Sequence, residues 1–284
     1  MRSFLKAALR TNTLSRTRPA QTLASPRNRS FDSVNWTRSH VRAMSASTSA
    51  VSGVVEAARG VFSRRLLPSE HLTEKDVQEL LKSLGKITVN EVGLAKNAEE
   101  ARAKAAGLLS GLPFARQKDR RPPVTYYHIY ECPDFTVGIF CIPEGRDIPT
   151  HDHPGMTVCS KVLYGRVRVE SYDEAPDLAG AAGAPPGAIV ARKVRDDVVT
   201  EGSGPQTLFS ESGNIHRFSA VESCAILDVL GPPYDSSQGR EIAYYEEDEA
   251  EGLGLGEGAS VLRKVLPPDD FVVEGRPYTG ERVA

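Results

Sequence analysis

A chain of 284 residues, 40% hydrophobic and with a net charge of −2, has room for one sizeable folded domain and its appendages. Near-neutral charge, with basic residues scattered or confined to the N-terminus, argues against a nucleic-acid-binding face, and no apolar run reaches the ~18 to 20 residues of a membrane helix. Cys132, Cys141, Cys159 and Cys224 are widely spaced without a C-x-x-C pair, so neither a zinc knuckle nor a disulfide framework is indicated, and reduced thiols are expected.

Residues 1–50 differ from all that follows. Through Met44 they hold eight arginines and Lys6 against a single acid, Asp32, with many Ser and Thr and no continuous apolar core. That is the composition of an organellar transit peptide. Mitochondrial import is the first expectation; a plastid address, or a basic tail on a cytoplasmic protein, is the alternative.

Residues 51–122 read as a helical extension and linker. In "HLTEKDVQELLKSLGKI", Thr73 with Asp76 forms a variant capping box, and Val77, Leu80, Leu81 and Leu84 fall on one helix face that stops at Gly85. "NAEEARAKAAGLLSGL" reads as a further helix, and the basic "PFARQKDRRPP" as a linker. These helices are expected to pack outside a β domain.

From residue 123 to 284 the texture changes. "VTYYHIYEC", "FTVGIFCIP", "MTVCSKVLYG", "RVRVESYD", "AIVARKV", "QTLFSES", "IHRFSAV" and "CAILDVLG" are short runs rich in Val, Ile, Tyr and Phe, separated by Gly, Pro, Asp and Ser. The fold class expected is mainly β, a jelly-roll barrel with an N-terminal helical extension. Residues 174–187, "EAPDLAGAAGAPPG", are expected to be an exposed loop insertion, and the acidic "EEDEAEG" a solvated loop.

The chemistry gathers at "THDHPGMTVCSKVLYG". Side chains alternate along a strand, so His151 and His153 share a face while Asp152 takes the other. A third imidazole is offered by His216 in "SGNIHRFSAV". Three neutral imidazoles are borderline ligands that suit Fe, Zn, Cu or Ni. Asp228 is conspicuous in the apolar run "CAILDVLG", because a buried unpaired carboxylate is costly. His128, Cys159 and Cys224 are expected to be structural.

These residues resemble a known pattern. Gly145, His151-x-His153 and Gly165 match the first cupin signature, and Gly213-x-x-His216 the core of the second. Thr157, Val158 and Cys159 stand where the cupin glutamate ligand is expected, and Ala220 where an asparagine often follows the last histidine. A cupin without its carboxylate ligand resembles the thiol dioxygenases. "HDHPGMTV", "KVLYG", "ILDVLGPPY" and "PPDDFVVEGRPYTG" extend the likeness to the plant cysteine oxidase and 2-aminoethanethiol dioxygenase family over roughly residues 50 to 280.

The resemblance implies a mononuclear Fe(II) enzyme that uses O2 to convert a thiol with a neighbouring amine into a sulfinic acid. His151, His153 and His216 would be the metal ligands, Asp228 would match the family's functional acid, and Tyr234 would stand beside it. The implied substrates are a small aminothiol such as cysteamine, the N-terminal Cys of a peptide or protein, or free cysteine, with no nucleic-acid or membrane partner and a monomeric state. Zinc hydrolase or isomerase chemistry and a metal-free binding module are the alternatives. Arg166 and Arg168 follow the strand-ending Gly165, and Arg217 alternates away from His216. No arginine is therefore expected in the pocket, and the preferred substrate is expected to lack a free α-carboxylate.

Overall fold

The computed structural model describes residues 49–64, 71–105, 122–178, 187–248, 255 and 258–283. The transit reading of residues 1–50, the linker and most of the 174–187 insertion fall outside them. Among the described residues three helices come first: α1 (Ala50–Phe62), α2 (Glu74–Gly85) and α3 (Ala95–Ala105). Ser49 starts α1 by accepting the Ser52 N–H at 2.9 Å, and Val51, Val54, Val55, Ala58 and Val61 form its buried face. In α2 the Asp76 carboxylate accepts from the Thr73 N–H and hydroxyl at 2.9 and 2.6 Å, the expected capping pair, and the helix ends at Gly85.

Twelve strands follow: β1 (Val124–Glu131), β2 (Thr136–Ile142), β3 (Asp147–His151), β4 (Thr157–Tyr164), β5 (Arg166–Glu174), β6 (Ala188–Thr200), β7 (Gln206–Leu208), β8 (Ile215–Ala220), β9 (Cys224–Gly231), β10 (Tyr244–Asp248), β11 (Ala259–Val265) and β12 (Val273–Arg276). One sheet runs β12-β1-β2-β9-β4-β7; the other, β10-β11-β6-β5-β8-β3, closes on itself where Tyr244 pairs with His151. The mainly β jelly roll with helices at its N-terminal side is the architecture expected. The acidic run departs from expectation. Glu246, Glu247 and Asp248 extend β10 because Glu247 accepts from the Tyr172 and Ser260 hydroxyls at 3.0 and 2.7 Å.

The central strands β2, β9 and β4 of the first sheet are buried on both faces, which explains their unbroken apolar runs. Phe140, Ile142, Val158, Val162, Ile226 and Leu230 face the barrel interior. Val137, Ile139, Leu163, Leu227 and Val229 meet the apolar faces of α1 and α2 on the outside. Lys161 fastens that outer layer: it is 8% exposed, and its Nζ donates to the Gly85 and Ile87 carbonyls at 2.9 and 2.6 Å. Those carbonyls are left open by the end of α2. At the β4–β5 turn, Gly165 has φ +77°, and a Cβ there would lie 2.2 Å from the Ser223 carbonyl, so the corner closes only around glycine.

Candidate metal centre

β3 ends on His151, and the β3–β8 register sets it opposite His216. His153 lies two residues further on, and all three rings are buried. Ring centroids are 4.5 Å apart for His151 and His216, 4.9 Å for His151 and His153, and 5.1 Å for His153 and His216. One ring nitrogen of each lies within 4.8 Å of the others.

Hydrogen bonds decide which nitrogen that is. A carbonyl can only accept, so the Nδ1–H of His151 donates to Pro149 O at 2.8 Å, and that of His216 to Asn214 O at 3.1 Å. Tyr234 donates its hydroxyl proton to Asp152 O at 2.9 Å, so its oxygen accepts from His153 Nδ1–H at 2.6 Å. Each Nε2 is left as the nitrogen with a lone pair. Burial lowers the proton affinity of all three rings, and the neighbouring imidazoles lower His153 and His216 further. Three neutral imidazoles with their tautomers set fit a borderline divalent ion such as iron, and Thr157 and Val158 bring no carboxylate among them.

The backbone around the histidines is held from outside. The Asn214 side chain accepts from His153 N–H at 2.7 Å and donates to His153 O at 2.8 Å. Asp152, pointing away from the rings as alternation requires, accepts from Ala243 N–H and the Tyr245 hydroxyl at 2.7 and 2.8 Å. Sequence reasoning missed Asn214; its place two residues before His216 was the only available signal.

The rings line a cavity of about 280 Å³ between the two sheets, walled mainly by apolar side chains. Asp228 lies on its wall, aligned across β9 with Gly138 on one side and Ser160 on the other. Burial pushes its carboxyl up to about 6, opposed by a hydrogen bond from Ser160. Asp228 Oδ1 and Thr136 Oγ1, both on the cavity wall, are closed off from water and make no hydrogen bond among the described residues. Such orphaned acceptors suit a polar occupant. Tyr234 also lines the cavity, and His128, exposed in the middle of β1, does not.

One expectation is corrected. Arg166 pairs with Glu222, Arg168 with Asp196 and Arg217 with Asp147, all away from the cavity, but Arg195 lines it. β6 carries an extra residue, Val194, where Ser171 pairs with Arg195 and Tyr172 with Lys193. A bulge of this kind re-aims side chains, and none was legible in "AIVARKVRDD". The charge of Arg195 further disfavours protonation of His216.

The interior wall of this jelly roll carries three convergent imidazoles and no carboxylate among them, a group that could hold a metal ion. The family model PCO_ADO matches residues 83–283, and the chain belongs to that family. It is 35% identical over 218 residues to plant cysteine oxidase 1 of Arabidopsis thaliana, covering 75% of this chain and 69% of that protein. It is 39% identical over 184 residues to 2-aminoethanethiol dioxygenase of Mus musculus, covering 57% of this chain and 72% of that one. Plant cysteine oxidase 2 of Arabidopsis thaliana is 31% identical over 230 residues, 74% of this chain and 75% of that protein.

Proposed function

We propose that the protein is an Fe(II)-dependent thiol dioxygenase that oxidises an aminothiol to its sulfinic acid. The observation that carries this reading is the set of three neutral, Nε2-presenting histidines without a carboxylate, in a family whose named members are cysteine oxidases and 2-aminoethanethiol dioxygenases. The substrate class is cysteamine, an N-terminal Cys of a peptide or protein, or free cysteine. In the balanced reaction R–SH and O2 give R–SO2H, with both oxygens on sulfur and no separate reductant. His151, His153 and His216 would hold a ferrous ion, whose positive charge would favour thiolate over thiol and which would supply the site for O2 activation.

The protein's own part is positioning and proton handling. Pro149, Asn214 and Tyr234 hold the rings in their donor tautomer. Asp228, its carboxyl raised by burial to about 6, takes the thiol proton or the substrate ammonium at its unpartnered Oδ1. Arg195 removes the reason for excluding a substrate with an α-carboxylate.

The test is metal analysis of protein purified from iron-supplemented, oxygen-free culture, followed by O2 uptake with each thiol. Iron and thiol-dependent uptake are expected. Zinc without uptake would point to hydrolase or isomerase chemistry, and absence of metal to a binding module; either overturns the proposal. We also propose that residues 1–50 carry an import address, on their arginine-rich and acid-poor composition.

A further inference from the structure

The second sheet places four side chains in one row across four strands. Arg195 on β6 is paired with Ser171 on β5, Ser171 with His216 on β8, and His216 with His151 on β3. Paired residues in adjacent strands share a face, so Arg195 looks onto the same cavity as the two histidines, with two strand spacings, about 10 Å, between it and His216. Only Ser171 lies between them in the row. Gly213, a further residue of the cavity wall, lies against Ser171: a Cβ there would come 3.7 Å from Ser171 Cβ, so both residues on this stretch of the wall are small.

Arg195 is held rather than loose. Its Nε donates to Asp197 Oδ1 at 2.9 Å and its Nη1 to Gln206 Oε1 at 2.6 Å, and its side chain is 29% exposed. Nη2 makes no hydrogen bond among the described residues. Among the described residues, β6 beyond Arg192 is paired with β5 alone, and Arg195 and Gln206 both line the cavity there.

A two-carbon aminothiol engaged at the triad by sulfur and nitrogen spans only the inner part of the row. A cysteine residue carries one group more, a carbonyl or carboxylate on the carbon that bears the amine. We propose that Arg195 is the specificity-determining residue of the site: its free guanidinium edge receives that carboxyl-level oxygen and selects cysteine-type substrates over cysteamine. Guanidinium donors suit such an oxygen, and the apolar cavity wall strengthens the bond. This rests on the thiol dioxygenase reading above.

The test compares wild type with Arg195→Met, which keeps the stem and removes the donors, on a Cys-initiated peptide, free cysteine and cysteamine at equal O2. Dissociation constants are measured in parallel by anaerobic titration of the iron-loaded protein. In the variant, kcat/KM for the peptide and for free cysteine should fall roughly tenfold to a hundredfold relative to cysteamine, mainly through KM, and both should bind more weakly by a similar factor. An equal fall for the two identifies the carbonyl oxygen as the partner; a larger fall for free cysteine identifies the carboxylate. Should Arg195→Met fail to fold, Arg195→Lys, which keeps the charge but not the planar fork, carries the same comparison. Selectivity and binding unchanged from wild type, in a variant with normal iron content and melting, overturn the assignment of Arg195 alone. A wild type that consumes no O2 with any of the three thiols overturns the dioxygenase reading, and this inference with it.

Discussion

Tyr234 shows how a residue outside the ligand set governs a metal site. Its oxygen accepts from His153 Nδ1–H while its proton is committed to Asp152 O, so removing the hydroxyl frees the His153 ring to turn or change tautomer. Tyr234→Phe should weaken metal affinity about 10- to 100-fold with the fold intact, measured by competition with a chelator; unchanged affinity would reduce the tyrosine to packing. Asp228 makes a different prediction, read on metal-free protein. Burial raises its folded carboxyl from the usual value of about 4 to about 6, so the stability it contributes is complete below about pH 4 and is lost as pH rises through about 6. Asp228→Asn has no such loss. Its stability relative to wild type should therefore improve by up to about 3 kcal/mol between about pH 4 and pH 8, followed by urea unfolding. A pH-independent difference would show that Asp228 ionises as an ordinary surface carboxylate. The sequence made the histidines visible through the H-x-H spacing with His216, and Asp228 because it breaks an apolar strand. It hid Asn214 and Arg195, whose roles depend on cross-strand register and on a bulge at Val194.

Between the elements, Lys161 is the joint of greatest consequence. It spends a buried ammonium on the two carbonyls at the end of α2, so the helical layer is tied to β4 by hydrogen bonds as well as by apolar contact. Lys161→Met keeps much of the volume but leaves those carbonyls short of donors, and should cost about 2 to 4 kcal/mol in urea unfolding. A loss within a few tenths of a kcal/mol would mean that water caps the helix equally well. The helix itself was readable from Thr73, Asp76 and the Val77, Leu80, Leu84 stripe, because capping and periodicity are local. "KVLYG" gave no hint that its lysine turns toward a helix more than seventy positions earlier in the chain. Of "EEDEAEG", Glu246 and Glu247 are exposed as expected but belong to a strand rather than a loop, because Glu247 finds Tyr172 and Ser260 across the sheet; residues 249–252 lie outside the described residues.

At the scale of the molecule, the first sheet is covered by helices on one side and encloses the cavity on the other, so the three histidines are buried while residues of β6 and β7 complete the cavity wall. Alternation and turn spacing announced the jelly roll, but not which sheet would be buried twice. Residues 1–50 are tested by fusing them to a fluorescent protein: mitochondrial signal is expected, and a diffuse cytosolic signal would remove the import proposal. The central claim is that this cavity adds both atoms of O2 to a thiol. Iron-loaded protein incubated with a Cys-initiated peptide under ¹⁸O2, and the product read by mass spectrometry, tests it directly. The account predicts a sulfinic acid carrying two heavy oxygens, whereas a disulfide, oxygen drawn from water, or no product from the peptide, cysteamine and free cysteine alike would contradict it.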